Sequence, residues 1–294
     1  MYPASFTYLT PKTIQETLTL LALHGDDAKL LAGGHSLIPA MKLRLAEPRY
    51  LIDIARLPGL SGVRVDGSEL VIGALTVHAD VAASDLVRQH VPGLADAAGV
   101  IGDVQVRHRG TIGGSVAHAD PGADFPVILT ALNASFGLTS PSGTRIVGAD
   151  DFFVDFFTTT LEPNEIVTEI RVPLPQNGAG TGYAKLPHPA SGYVVVSAGV
   201  LISRGANGEC TSVRVAIGGL AGAPTRATAT EAALQGKPLN AEVIAEAVSH
   251  AAEGTDPDDD TYASAAYKRH VATVYARRAI EAALQRVTPS GTGR

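Results

Sequence analysis

Ala32-Gly33-Gly34-His35-Ser36-Leu37-Ile38-Pro39 and, far along the chain, Thr111-Ile112-Gly113-Gly114-Ser115 are the two stretches whose reading decides the fold. A double glycine lets the backbone turn through conformations closed to residues with a Cβ, and it points successive N–H groups into one concavity. Each stretch adds a serine hydroxyl as a further donor. Two such loops facing one another suit a diphosphate, the charged centre of a dinucleotide, so the pair predicts a nucleotide cofactor gripped between two parts of one chain and points to redox chemistry. Neither stretch has the spacing Gly-x-Gly-x-x-Gly of a Rossmann turn or that of a P-loop.

Outward from the first loop, Ala28–Ala32 reads as a strand that delivers it, and Leu37–Leu45 as a short helix or irregular turn that follows. Upstream, Thr10-Pro11 opens a helix with a capping hydroxyl and a proline at its first position, carries Ile14, Leu18 and Leu21 on one face, and stops at Gly25. Tyr50–Ile54 is a second strand, and Val63–Val65 with Leu70–Ile72 flank a turn at Asp66-Gly67-Ser68-Glu69. Leu94–Ile101 predicts a helix leading into the second glycine loop. Beyond that loop, Asp124-Phe125-Pro126 opens an apolar helix through Leu132, followed by strands at Ser135–Leu138 and Thr144–Val147 and a β-rich run at Glu165–Pro173. The stretch Pro175-Gln176-Asn177-Gly178-Ala179-Gly180-Thr181-Gly182 breaks every periodicity and marks a domain boundary. After it come strands at Tyr193–Ser203 and Cys210–Gly218 and helices from about Ala241 and Tyr262. The pattern predicts an α+β chain with a domain at 1–176, itself divided into subdomains of about 1–56 and 57–176, and a C-terminal domain at 177–290 made of an antiparallel sheet and helices.

Composition removes several functions. With 294 residues, 45% of them apolar, the chain buries a sizeable core. A formal charge of −6 and no run of Lys and Arg argue against nucleic acid as a partner. The longest apolar stretch, around Val194–Ile202, is too short for a transmembrane segment, and the N-terminus lacks a basic region followed by an apolar one, so a cytoplasmic protein is expected. Cys210 is the single cysteine, which leaves no ligands for an iron–sulfur cluster, and the nine histidines form no metal-binding pattern. No metal site is expected. Asp256–Asp260 lacks the ligand order of a calcium loop and reads as solvated.

The two glycine motifs, Met41-Lys42-Leu43-Arg44-Leu45 after the first, and Ala119-Asp120-Pro121-Gly122-Ala123-Asp124 after the second together resemble the FAD-binding medium subunit of molybdenum hydroxylases, the xanthine dehydrogenase family, with the match nearest to the carbon monoxide dehydrogenase type. The resemblance spans nearly the whole chain. It implies the FAD-binding fold shared with vanillyl-alcohol oxidase and p-cresol methylhydroxylase, two α+β subdomains around an extended FAD, followed by the C-terminal domain characteristic of these flavoproteins. It implies that FAD is the only cofactor of this chain, with molybdopterin in a large partner subunit and [2Fe–2S] clusters in a small one. The partner set is expected to form a dimer of heterotrimers, with any membrane association made through the complex.

The same resemblance implies roles for individual residues. Ala32, Gly33, Gly34, His35, Ser36 and Leu37 form one pyrophosphate wall, and Thr111, Gly113, Gly114 and Ser115 the other. Asp124 matches a carboxylate near the adenosine ribose, with a helix N-cap as its structural alternative. Ile101, Gly102 and Leu161 match packing contacts to the cofactor. Lys185 matches a lysine near the isoalloxazine, with a solvated surface lysine as the alternative. Tyr193 matches an aromatic on the flavin ring, against a tyrosine in the core of a strand. No catalytic acid–base set is expected, because flavin supplies the redox chemistry. Lys185–Ser191 departs from the basic stretch of the carbon monoxide dehydrogenase type, which leaves the substrate of the parent complex open. Two other readings remain: a free-standing FAD-dependent oxidase or dehydrogenase with its own small-molecule substrate, and a non-catalytic assembly subunit.

Overall fold

The computed structural model describes residues 2–287, so the last residues assigned to the C-terminal domain, 288–290, lie outside the described residues. The described residues build three larger sheets, each with its own apolar core, and a two-stranded ribbon of Phe153–Asp155 and Thr158–Thr159.

The first sheet is parallel, with Tyr50–Asp53 between Thr7–Leu9 and Ala28–Leu31. Helix Ile14–His24 covers it through Leu18 and Leu21, which are buried with Ala28 and Ile52. The helix starts later than the sequence suggests. Thr13, not Thr10, is the N-cap: its Oγ1 accepts from Glu16 N at 3.0 Å while Glu16 Oε2 accepts from Lys12 N at 2.6 Å. The Thr13 hydroxyl thus satisfies one orphaned donor of the first turn, and Glu16 reaches back past the cap to the Lys12 N–H, a variation on the capping box. Leu57, Leu60, Leu75 and Ile166 complete this core, so packing is continuous across residue 56.

The second sheet is antiparallel, in the order Val63–Asp66, Glu69–Gly73, Ile166–Pro173, Ser135–Ser140, Gly143–Gly148. Its buried face carries Leu70, Ile72, Phe136, Leu138 and Ile170, against helices Pro92–Gly99 and Asp124–Ala131. The third sheet orders Ala179–Pro187, Val194–Arg204, Cys210–Gly218 and Thr225–Arg226. Helix Ala265–Leu284 lies across it, starting at the cap Ser264 rather than at Tyr262.

Strand Ala179–Pro187 is hidden in the stretch that reads as a break. Gly180 and Gly182 are strand residues, and a Cβ on either would strike the carbonyl oxygens of Ala283 and Ala279 on the overlying helix. These glycines permit close packing of helix on strand rather than a turn. Helix Asp124–Ala131 is the wedge between the second and third sheets: a Cβ at Gly199 would stand 2.9 Å from Ile128 Cα. Cys210 sits in the third core, where burial raises its thiol to about 11, an inert state.

Candidate functional site

The first glycine motif leaves the parallel sheet after Leu31 and enters helix Leu37–Lys42. Among the described residues, the N–H groups of Gly33, Gly34, His35, Ser36 and Leu37 donate to no protein acceptor, and neither does the Ser36 hydroxyl. The two glycines are needed for different reasons. Gly34 has φ +77°, open to glycine at no cost. Gly33 has ordinary backbone angles, but a Cβ there would strike Arg109 O and stand 2.7 Å from Gly110 Cα. The first motif therefore packs directly on the backbone that leads into the second. His35 is exposed, and its neighbours in the loop are half-buried.

The second motif is not a loop. Thr111 caps helix Ile112–His118, so Gly113 and Gly114 are helical, and the left-handed turn expected there is absent. Their N–H groups are already spent. Gly113 N donates to Ala74 O at 2.8 Å, Gly114 N to Thr111 Oγ1 at 3.1 Å, and Ser115 N to Thr111 O at 3.0 Å. The run of free N–H groups belongs to the first motif, and the second supplies a rigid facing wall on which, among the described residues, Thr111 N and the Ser115 hydroxyl donate to no protein acceptor. Gly113 is glycine because a Cβ would stand 2.7 Å from Ala74 O, and Gly114 because one would stand 2.8 Å from the capping Thr111 Oγ1. Ala32 faces the second wall, with its Cβ 4.0 Å from the position a Gly114 Cβ would take.

From this cradle the site continues along helix Val104–Arg107. Gly110 N donates to Val106 O at 2.7 Å, and Arg107 Nη1 reaches Ile101 O at 2.9 Å and Gly102 O at 3.2 Å. Gly102, with φ +46°, lies against the Gly192 turn: a Cβ on Gly192 would be 3.6 Å from Gly102 Cα. Ile101 is half-buried on the central core. The next residue after Gly192 is Tyr193, 46% exposed and ahead of the strand Val194–Arg204, so the strand-core alternative does not hold. Its ring packs near Gly122, where a Cβ would meet Tyr193 Cδ1 at 3.1 Å, and Val194 N donates to Gly122 O at 2.9 Å. Burial and the neighbouring Asp120 raise the Tyr193 phenol, which stays protonated.

Asp124 and Lys185 meet beneath this turn. Lys185 Nζ is 2.8 Å from Asp124 Oδ1, each side chain 5% exposed, and it also donates to Gly192 O at 2.8 Å. Tyr183 Oη donates to the same Asp124 oxygen at 2.9 Å. Burial raises the Asp124 carboxyl, opposed by the Lys185 charge and the two hydrogen bonds. Two expectations change. Asp124 is the first residue of its helix with Ala123 as N-cap, so it is not a cap, and Lys185 is not solvated. The structure thus brings together two residues that the resemblance assigns to the ribose and to the ring. Leu161 is half-buried on the central core, beyond strand Thr158–Thr159, and makes no hydrogen bond to either glycine motif.

One residue escaped the sequence reading. His78 opens helix His78–Ala83, is 5% exposed, and lies over Gly110 at the seam of the two motifs. A lone histidine among small and apolar residues carries no motif, and the only signal is its place three residues after the Gly73–Leu75 turn into the helix.

The cradle fits a dinucleotide: five unpaired N–H groups in sequence, a glycine-narrowed seam and an exposed aromatic at the far end. Comparisons with known proteins name the family and its cofactor. Residues 4–175 match the FAD binding domain in molybdopterin dehydrogenase, and residues 181–283 the CO dehydrogenase flavoprotein C-terminal domain. The carbon monoxide dehydrogenase medium chain of Hydrogenophaga pseudoflava is 42% identical over 97% of this chain and 99% of the relative. The glyceraldehyde dehydrogenase medium chain of Sulfolobus acidocaldarius is 40% identical over 96% of this chain and 99% of the relative. The solved carbon monoxide dehydrogenase from Hydrogenophaga pseudoflava that lacks the Mo-pyranopterin moiety of its cofactor superposes with a TM-score of 0.94 at 44% identity, covering 98% of this chain and 100% of that one. With its α+β FAD-binding fold and C-terminal sheet domain, the chain belongs to the FAD-binding medium subunits of molybdenum hydroxylases, FAD-dependent oxidoreductases of the carbon monoxide dehydrogenase type.

Proposed function

We propose that this chain is the electron-transferring subunit of a three-subunit molybdenum hydroxylase: it takes electrons from a [2Fe–2S] partner, itself supplied by a molybdopterin partner, and passes them to an external acceptor. The observation that carries the reading is the row of unpaired N–H groups at Gly33–Leu37 closed by Gly110 and helix Ile112–His118, a mould for a diphosphate. FAD, when bound, supplies the exchange between one-electron and two-electron transfer. The chain's own residues bind and orient it. Ala32–Leu37 hold the diphosphate, Thr111, Gly113, Gly114 and Ser115 fix the opposite wall, and Ile101 and Gly102 carry the backbone from there to the ring. Tyr193 covers the ring, while Lys185 and Asp124 brace its turn from below and set the charge at that end. Leu161 supports the wall through strand Thr158–Thr159.

A single cysteine supports a cluster-bearing partner, because electrons delivered one at a time need a relay this chain does not carry. Asp124, a deeply buried carboxylate beside the candidate site, is occupied by Lys185 and Tyr183, which disfavours a free-standing oxidase with its own base. The domain division at 176/177 belongs to the same reading, supported by family matches that stop at 175 and resume at 181. A dimer of heterotrimers in the cytoplasm is the assembly we propose; no helix of the described residues is long and apolar enough to cross a membrane. Relatives of similar identity act in carbon monoxide and glyceraldehyde dehydrogenases, so the substrate is set elsewhere in the complex.

The test is copurification of the tagged chain with its partners, followed by substrate addition. A small, cysteine-rich partner should copurify, and the flavin should bleach in the complex and not in the isolated chain. Substrate-driven bleaching of the isolated chain would overturn the proposal in favour of a free-standing enzyme.

A further inference from the structure

His78 occupies the seam where the two walls of the cradle meet. Its backbone N–H donates to Gly110 O at 3.0 Å, Val77 forms a β-bridge with Thr111, and Ile112 N donates to Thr76 O at 3.0 Å. The residues before helix His78–Ala83 are thus stitched to the start of the second motif. The imidazole then fills the space above Gly110: a Cβ on Gly110 would strike Nε2 and stand 2.8 Å from Cδ2. On its other side the ring meets Phe125 edge-on, centroids 5.2 Å apart. Phe125 is fully buried in the central core. Gly110 in turn has Gly33 against its far side. The order Phe125, His78, Gly110, Gly33 is one packed column from the central core to the free N–H groups.

As a plain core residue, His78 is a poor choice. Nδ1 is buried with no hydrogen-bond partner among the described residues, a cost that Leu or Phe would not carry. Burial, with Arg107 nearby, holds the ring neutral, so it adds no charge to the cradle. What remains for it is shape: a flat ring thin enough to cover Gly110 and broad enough to rest on Phe125.

We infer that His78 is a positioning residue for cofactor binding, setting the separation between the free N–H groups of Gly33–Leu37 and the wall at Gly110–Ser115. The inference rests on the reading that this cradle holds the FAD diphosphate. His78 acts through Gly110 and Gly33 rather than by touching the reaction.

The experiment uses the assembled complex, purified after co-expression, in four forms: wild type, His78→Ala, Gly110→Ala and the double variant. FAD content after dialysis and the ³¹P spectrum of the bound diphosphate are read beside the thermal midpoint. His78→Ala removes the ring and Gly110→Ala pushes against it, so each should weaken FAD retention about tenfold, as loss of a supporting contact behind a binding group does. Each should also move the ³¹P signals. In the double variant the methyl added at position 110 enters the space the ring has left, and retention should recover above both singles. A ring that only fills the core would lower the midpoint and leave the ³¹P signals where they are. Unmoved signals with full FAD in His78→Ala, or losses that add in the double variant, overturn the inference. If His78→Ala fails to assemble, unmoved signals in Gly110→Ala overturn it equally. A wild-type complex without FAD defeats the underlying reading, whereas wild-type FAD with unaffected variants defeats this inference alone.

Discussion

Lys185 Nζ and Asp124 Oδ1 lie 2.8 Å apart in a buried ion pair, and the same ammonium holds Gly192 O at 2.8 Å, one residue before Tyr193. The pair joins the helix that wedges the sheets apart to the turn that carries the exposed aromatic. Removing one partner leaves the other charge buried and uncompensated, so Lys185→Met should cost about 3–5 kcal/mol in denaturant unfolding at neutral pH. The double variant Asp124→Leu with Lys185→Met should recover most of that loss. A loss in Lys185→Met no larger than that of an exposed pair, about 1 kcal/mol, would show that water reaches the pair.

Tyr193 is half-exposed on a turn held by Lys185 and by Gly122. Tyr193→Ala should expose the ring end of the cofactor to water and shift the visible spectrum and the reduction potential of the flavin, while the diphosphate contacts still retain FAD. Because the side chain lies outside the strand core, the thermal midpoint should change little. A lowered midpoint with an unmoved potential would remove Tyr193 from the site.

His78 also sets an acid limit. Its imidazole is lowered from the ordinary 6.5 to about 4, chiefly by burial. Below pH 6.5 the unfolded chain binds a proton that the folded chain refuses, so stability is fully present above 6.5 and falls as pH drops toward 4. The difference corresponds to about 3 kcal/mol across that window. His78→Leu should flatten this slope in urea unfolding of the purified chain; wild-type and variant profiles that run parallel from pH 6.5 to 4 would contradict it.

The sequence made the first glycine wall legible because its cause is local: strand, glycines and helix follow one another, and Gly34 needs its positive φ whatever surrounds it. The second wall was legible as a place but not as a shape. Paired glycines disfavour a helix in isolation, and the partners that demand them, Ala74 and the Thr111 hydroxyl, differ in reach: one is distant in sequence and the other was read as a ligand donor. Strand Ala179–Pro187 was lost for a related reason, since Gly180 and Gly182 read as breakers until helix Ala265–Leu284 is laid across them. The contact between Lys185 and Asp124 depends on two domains meeting, and no local pattern encodes it. His78 was missed because its importance lies in what it touches.

FAD content of the assembled complex, compared between wild type and Gly33→Ala, tests the central claim most directly. The added methyl would strike Arg109 O and stand 2.7 Å from Gly110 Cα, at the point where the free N–H groups meet the second wall. The account predicts stoichiometric FAD in the wild type and little or none in Gly33→Ala, with iron content and subunit assembly unchanged. A Gly33→Ala complex that keeps its full FAD would contradict the assignment of this cradle to the cofactor.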